Sequence, residues 1–151
     1  MDDQTRSTYF TFFNEIGIIS QLSRTILESR LPDGMLVSHF SVLNHLIRVQ
    51  DGRTPQDISR AFQVPKTSMT HTLSVLEKHK LVEMKPNPKD GRSKHVWITG
   101  QGRDFRDHAI AAMDPDIERL SGLLAGIDVA AVNQQLATIR KIMDVSRDET
   151  E

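Results

Sequence analysis

The stretch from Pro65 to Thr99, PKTSMTHTLSVLEKHKLVEMKPNPKDGRSKHVWIT, constrains this chain more than any other. Its hydrophobic period changes part-way. Met69, Leu73 and Leu76 recur at i, i+4 and i+7, which predicts a helix with one buried face. Thr67, His71, Ser74 and Lys78 fall on the opposite face, and Pro65 suits the first helical position. Leu81 to Lys85 then predicts a strand, and Lys94 to Ile98 alternates with Val96 and Ile98 on one side. Trp97 points the other way, so it either packs on a neighbouring element or flanks the hairpin. PNPKDGRS, between the strands, is made of residues that fix turns and interrupt a regular ladder.

The residues before Pro65 add a second helix. Thr54 can cap it, Pro55 suits its first position, and Asp57 favours the positive helix start. Ile58, Ala61 and Phe62 are expected to face the core. Only Gln63 and Val64 then precede Pro65, and two short helices joined so tightly predict a helix-turn-helix with the second helix as reader. The reader carries Lys66 and the short polar residues Thr67, Ser68, Thr70, His71 and Ser74. Such side chains suit a groove about 12 Å wide. No Arg is present on this helix to grip guanine in bidentate fashion. Lys89, Asp90, Arg92 and Lys94 sit on or beside the hairpin tip, with Asp90 spaced to hold the Arg92 guanidinium for a phosphate or minor groove. The fold class expected is mainly α with a small β-hairpin wing (α+β), a winged helix-turn-helix with flanking helices.

Net charge is −1, which by itself argues nothing for nucleic acid. Distribution says more. Residues 60–95 hold eight Lys or Arg against three acids, or +5, and the remainder is −6. A basic module on an acidic body is the footprint of a protein that touches phosphates with one part.

Helices flank this module. Residues 5–29 carry Phe10, Phe13, Ile16, Leu22 and Ile26 at helical spacing, and Pro32 and Gly34 end the run. A second helix is expected over 38–50, closed by Asp51-Gly52. Thr99 can cap a long helix whose register survives Pro115, with a kink or brief break near residues 113–116. A last helix holds Val129, Val132, Leu136, Ile139, Ile142 and Met143, and the charged tail SRDETE is expected to fray. These end helices carry more apolar surface than a small winged domain can cover. At about 1.5–3 kcal/mol per buried large side chain, a two-fold homodimer with the first helix and the last two helices interlocked is the economical solution. Such a dimer sets two readers about 34 Å apart, matching a pseudo-palindromic site on double-stranded DNA. The domains expected are 1–32 with 103–151 for dimerisation, and 33–102 for DNA binding.

Other functions find little purchase. No run of 18 apolar residues and no signal segment is present, so a cytoplasmic protein with no membrane partner is expected. Zero Cys removes disulfides and thiol sensing. The six histidines show no metal spacing, and neither a nucleophile motif nor a phosphate loop is present. No enzyme, cofactor or metal site is expected.

From Phe62 to Gly102 the chain resembles the MarR family of transcription regulators. The resemblance is carried by Leu76-Glu77, Leu81-Val82, the wing PNPKDGR and the ending VWITGQG. Lys80 stands where a Gly often ends the recognition helix, His71 and Val75 where Arg is frequent, and Gly91 where a second wing Arg is common. The resemblance implies a homodimeric, ligand-responsive repressor. It also implies a small aromatic or amphipathic ligand held between the first helix, the second helix and the helix after Thr99, with Arg24, His39 and His45 as polar anchors. The competing readings are a winged-helix protein-interaction module without DNA binding, and a metal-responsive regulator.

Overall fold

The computed structural model describes residues 1–87 and 90–148, the side chains of residues 92, 147 and 148 excepted. The chain divides into two compact units, residues 1–113 and 114–151.

The first unit begins with α1 (Asp3–Glu28), capped by the Asp2 carboxylate, which accepts from the Thr5 N–H at 2.7 Å. None of its residues is buried within the single chain: Ile16 and Ile26 are half-buried, and Phe10 and Leu22 are 72% and 62% exposed. Then follow α2 (Val37–Arg48), α3 (Pro55–Phe62) and α4 (Lys66–Lys78). The expected cap at Thr54 is present: its hydroxyl accepts from the Asp57 N–H at 3.1 Å, and Pro55 opens α3. Pro65 lies one place before the first residue of α4, which is Lys66. Phe62 is half-buried as expected, but Ala61 is exposed, because α3 is short and Ile58 and Ser59 take its inner face.

β1 (Val82–Asn87) and β2 (Asp90–Ile98) form an antiparallel hairpin. Its ladder runs further than the turn-rich segment suggests, with Pro86 opposite Lys94 and Asn87 opposite Asp90 across a register shift. The shift tolerates Pro86, which has no N–H to give. A single bridge from Arg53 to Val96 adds a short third edge. One core joins these elements: Val42, Leu43, Leu46, Ile58, Met69, Leu73, Leu76, Val82 and Val96 are fully enclosed. α5 (Gly100–Ala111) closes the unit, its Ala109 buried and its Phe105 against the core. Gly102 is obligatory here, since a Cβ would lie 2.1 Å from the Leu81 carbonyl oxygen.

The second unit holds α6 (Asp114–Leu123), with Pro115 in its first turn, and α7 (Val129–Asp148). The break expected near residues 113–116 therefore falls at Ala112 and Met113. Ile117, Leu123, Ile127, Val132, Leu136, Ile142 and Met143 are all exposed. Of the tail, residues 146–148 continue α7 and 149–151 lie outside the described residues. Among the described residues no helix is long and apolar enough to cross a membrane.

Candidate nucleic-acid interface

α4 is bolted to the core by Met69, Leu73 and Leu76, all buried, and this dictates what its other side presents. Lys66, Thr67, Ser68, Thr70, His71 and Ser74 are all exposed. The Thr70 hydroxyl donates to the Lys66 carbonyl at 2.8 Å, which leaves its oxygen lone pairs facing outward. The approach to α4 is sharp. Gln63 takes φ +52°, and the Val64 N–H donates back to the Ser59 carbonyl at 3.1 Å. The far end stops the same way: Lys80 takes φ +58°, Lys80 N–H donates to Glu77 and Leu81 N–H to Leu76, both at 2.9 Å. That is a Schellman turn, with Leu81 and Leu76 as its apolar pair.

The hairpin follows directly. Val82, Val96 and Ile98 face the core, and Lys85 and Lys94 face solvent. Near the tip, the Asn87 amide donates to the Ser93 hydroxyl at 3.0 Å, and that hydroxyl donates to the Asp90 carbonyl at 3.2 Å. Lys89 lies outside the described residues, as does the Arg92 side chain, and with it the expected Asp90–Arg92 pairing.

The foot of the wing is held by the turn between α2 and α3. The Val96 N–H donates to the Arg53 carbonyl at 2.8 Å, and the Gly52 N–H reaches the Val96 carbonyl at 3.1 Å. The His95 Nδ1 lies 2.5 Å from the Gly52 carbonyl. One oxygen of Asp51 accepts from the N–H groups of Gly52 and Ile98, each at 3.0 Å. Its other oxygen accepts from Arg103 at 3.1 Å.

Trp97 packs against this turn. Gly52, at φ +70°, leaves room for the indole, which a Cβ would meet at 2.6 Å.

A cleft of about 740 Å³ opens beside α4. Arg24 of α1, Leu36, Ser38 and Ser41 at the start of α2, Phe62 at the end of α3, Val64 of the turn, and Thr67 and His71 of α4 contribute to its lining. Arg24 also pairs with Glu28 at 3.2 Å. His39 and His45 are not among the lining residues. His39 is 3% exposed, and its Nδ1 accepts from the Leu36 N–H at 2.9 Å, closing the start of α2. That bond requires the neutral ring with its proton on Nε2. Burial pushes the His39 imidazole below its ordinary value, and His71 and His79 push it the same way. Burial also lowers His45, with Arg53 and Arg48 adding to it. The Nε2 of His45 and the Nε of Arg53 are buried and have no hydrogen-bond partner among the described residues.

A family model described as MarR family matches residues 33–93, which span α2 through most of the wing. Over those residues the chain is similar to the MarR family. Solved structures with the same fold include the transcriptional regulator BldR from Sulfolobus solfataricus, 21% identical, TM-score 0.70, over 95% of this chain and 99% of that one. Apo MarR from E. coli is 22% identical, TM-score 0.67, over 85% and 94%. S. aureus MepR carrying F27L, bound to an oligodeoxyribonucleotide, is 21% identical, TM-score 0.58, over 89% and 96%. No curated protein matches.

The residues expected to read DNA sit together on one exposed helix face, with Lys94 on the adjoining hairpin. Of the three candidate ligand anchors, the fold brings only Arg24 to the cleft; His39 and His45 serve inside the winged domain. What sequence reasoning passed over is the part of Asp51, Gly52 and Trp97 in holding the wing. Asp51-Gly52 read simply as a helix stop, and its one further signal was a carboxylate and a glycine separated from the Thr54 cap by Arg53 alone.

Proposed function

We propose that this chain is a transcription regulator of the MarR family, in the repressor sense, that binds a pseudo-palindromic operator as a homodimer and is released by a small aromatic or amphipathic ligand. The observation that carries the reading is the polar, fully exposed outer face of α4 beside a basic hairpin, on a helix whose inner face is locked into the core. Thr67, Ser68, Thr70, His71 and Ser74 enter the major groove, where modest discrimination is helped by water and DNA shape. Lys66, Lys89, Arg92 and Lys94 supply phosphate or minor-groove contacts, and Asp90 holds Arg92. The DNA-bound state of MepR, which shares the fold, supports this assignment.

Dimerisation is supported by the uncovered apolar rows on α1 and on α6 and α7, which cost stability and solubility while they face water. Residues 1–32 and 103–151 supply that two-fold contact, and 33–102 the DNA-binding part. Release is supported by the cleft beside α4, whose polar lining includes Arg24. A ligand that prefers one spacing of the reader helices shifts the population away from the DNA-competent state. The test is a fluorescence-anisotropy titration of the chain onto the promoter duplex of its own operon over a salt series. Operator binding that weakens steeply with salt, at two chains per duplex, is expected. Absence of binding at low salt would move the chain to the protein-interaction class.

A further inference from the structure

We propose that Asp51 is the positioning residue of the wing: one carboxylate ties the foot of β2 to the helix-turn-helix on one side and to α5 on the other. The proposal rests on the DNA-binding reading only for its consequence, since the clamp itself is geometric. A two-stranded hairpin is marginal on its own. A wing that must present cations in a fixed place therefore needs an anchor outside its own ladder.

Asp51 is placed to be that anchor. Its side chain is 23% exposed, and both oxygens are engaged. The Ile98 N–H, at the last residue of β2 and 47 positions away, donates to Oδ1 at 3.0 Å. Arg103, in the first turn of α5 and 52 positions away, donates to Oδ2 at 3.1 Å. The Gly52 N–H donates to the same oxygen as Ile98, which fixes the carboxylate's own turn. Bonds to an ionised acceptor are stronger than neutral ones. Around it, the backbone of Gly52 and Arg53 pairs with Val96, and the Trp97 ring lies over Gly52.

Removing the carboxylate strands a buried N–H at Ile98 and frees Arg103 from its anchor. The hairpin then pivots at its foot, and the tip cations must be ordered anew at each DNA encounter. α4 has its own anchors in Met69, Leu73 and Leu76, so the reader helix is untouched.

The test uses the full chain as wild type, Asp51→Ala, Asp51→Asn, Arg92→Ala and the Asp51→Ala/Arg92→Ala double variant. Trp97 is the sole tryptophan and reports on the wing foot without DNA. Asp51→Ala is expected to lower Trp97 anisotropy and to speed amide exchange at Ile98 by about tenfold relative to Leu73. Asp51→Asn keeps an acceptor for the Ile98 N–H but loses the charge facing Arg103, so it falls between. On the promoter duplex, Asp51→Ala is expected to bind about tenfold more weakly with a shallower salt dependence. Its effect is expected to shrink once Arg92 is already Ala, leaving only the part that acts through Lys89 and Lys94.

Full additivity of the two substitutions, or an unchanged Ile98 exchange and Trp97 signal, overturns the proposal. If Arg92→Ala binds DNA like wild type, the wing reading fails instead, and the Trp97 and Ile98 signals still decide the clamp. Should Asp51→Ala not fold, Asp51→Asn carries the same readouts.

Discussion

Replacing Lys80 by Gly is expected to stabilise the chain. Lys80 sits at φ +58° in the turn that ends α4, its side chain exposed. A left-handed conformation costs an L-residue about 1–2 kcal/mol, and Gly avoids it. Against that, Gly brings more freedom to the unfolded chain, which costs about 0.5–1 kcal/mol. The backbone bonds are unaffected: Lys80 N–H to Glu77, and the Thr99 hydroxyl to the Lys80 carbonyl at 2.7 Å. The net gain is about 0.5–1 kcal/mol, or about 1–4 °C in Tm for a chain of this size. Urea unfolding at one fixed protein concentration should show a higher midpoint at unchanged slope. Lys80→Asn, which tolerates this conformation and also removes the charge, should fall between the two. A Gly variant equal to or below wild type would refute the reasoning, because the strain would then not be stored at Lys80.

Three further outcomes follow from the geometry. Gly102→Ala should cost about 3 kcal/mol or more, because its Cβ meets the Leu81 carbonyl oxygen at 2.1 Å and no flexible atom can yield; near-wild-type urea stability would contradict the packing of α5 on the wing. His39 is held neutral by burial, so its folded-state pKa lies below its unfolded value of about 6.5. The unfolded chain then binds more protons at acidic pH, and the contribution from His39 is complete above pH of about 6.5 and lost as pH falls below it. His39→Gln, which can still serve the start of α2 without titrating, should flatten part of the acid limb of stability against pH; an unchanged limb would remove His39 from the explanation. His71→Ala should alter sequence preference more than overall affinity, measured by competition between cognate and random duplexes, and equal losses on both would take His71 off the base-reading face.

The local grammar of the chain was legible in its residues. The spacing of Met69, Leu73 and Leu76 located the buried face of α4, and thereby the exposed one. Thr54-Pro55 announced the start of α3, and Thr99 that of α5. Each of these is decided within one or two turns of helix. What escaped was decided across long separations or by competition for one inner face. Nothing near Asp51 in the sequence reveals that its partners lie at Ile98 and Arg103. Gly52 read as a helix stop, whereas it also makes room for the indole of Trp97. Ala61 fitted the helical period but stayed outside, because Ile58 and Ser59 fill the inner side of an eight-residue helix. The turn-rich segment after Lys85 hid a longer ladder, since a register shift accommodates Pro86 without a central strand's hydrogen bond. His39 and His45 were candidate polar anchors by type; in the fold His39 is buried and His45 half-buried, and neither lines the cleft beside α4.

Whether the basic hairpin touches DNA is decided most directly by comparing wild type with Arg92→Ala on the promoter duplex across a salt series. The account predicts weaker binding of the variant to every duplex and a log–log salt slope lower by about one per arginine removed. Identical affinity and slope in the two proteins would contradict it.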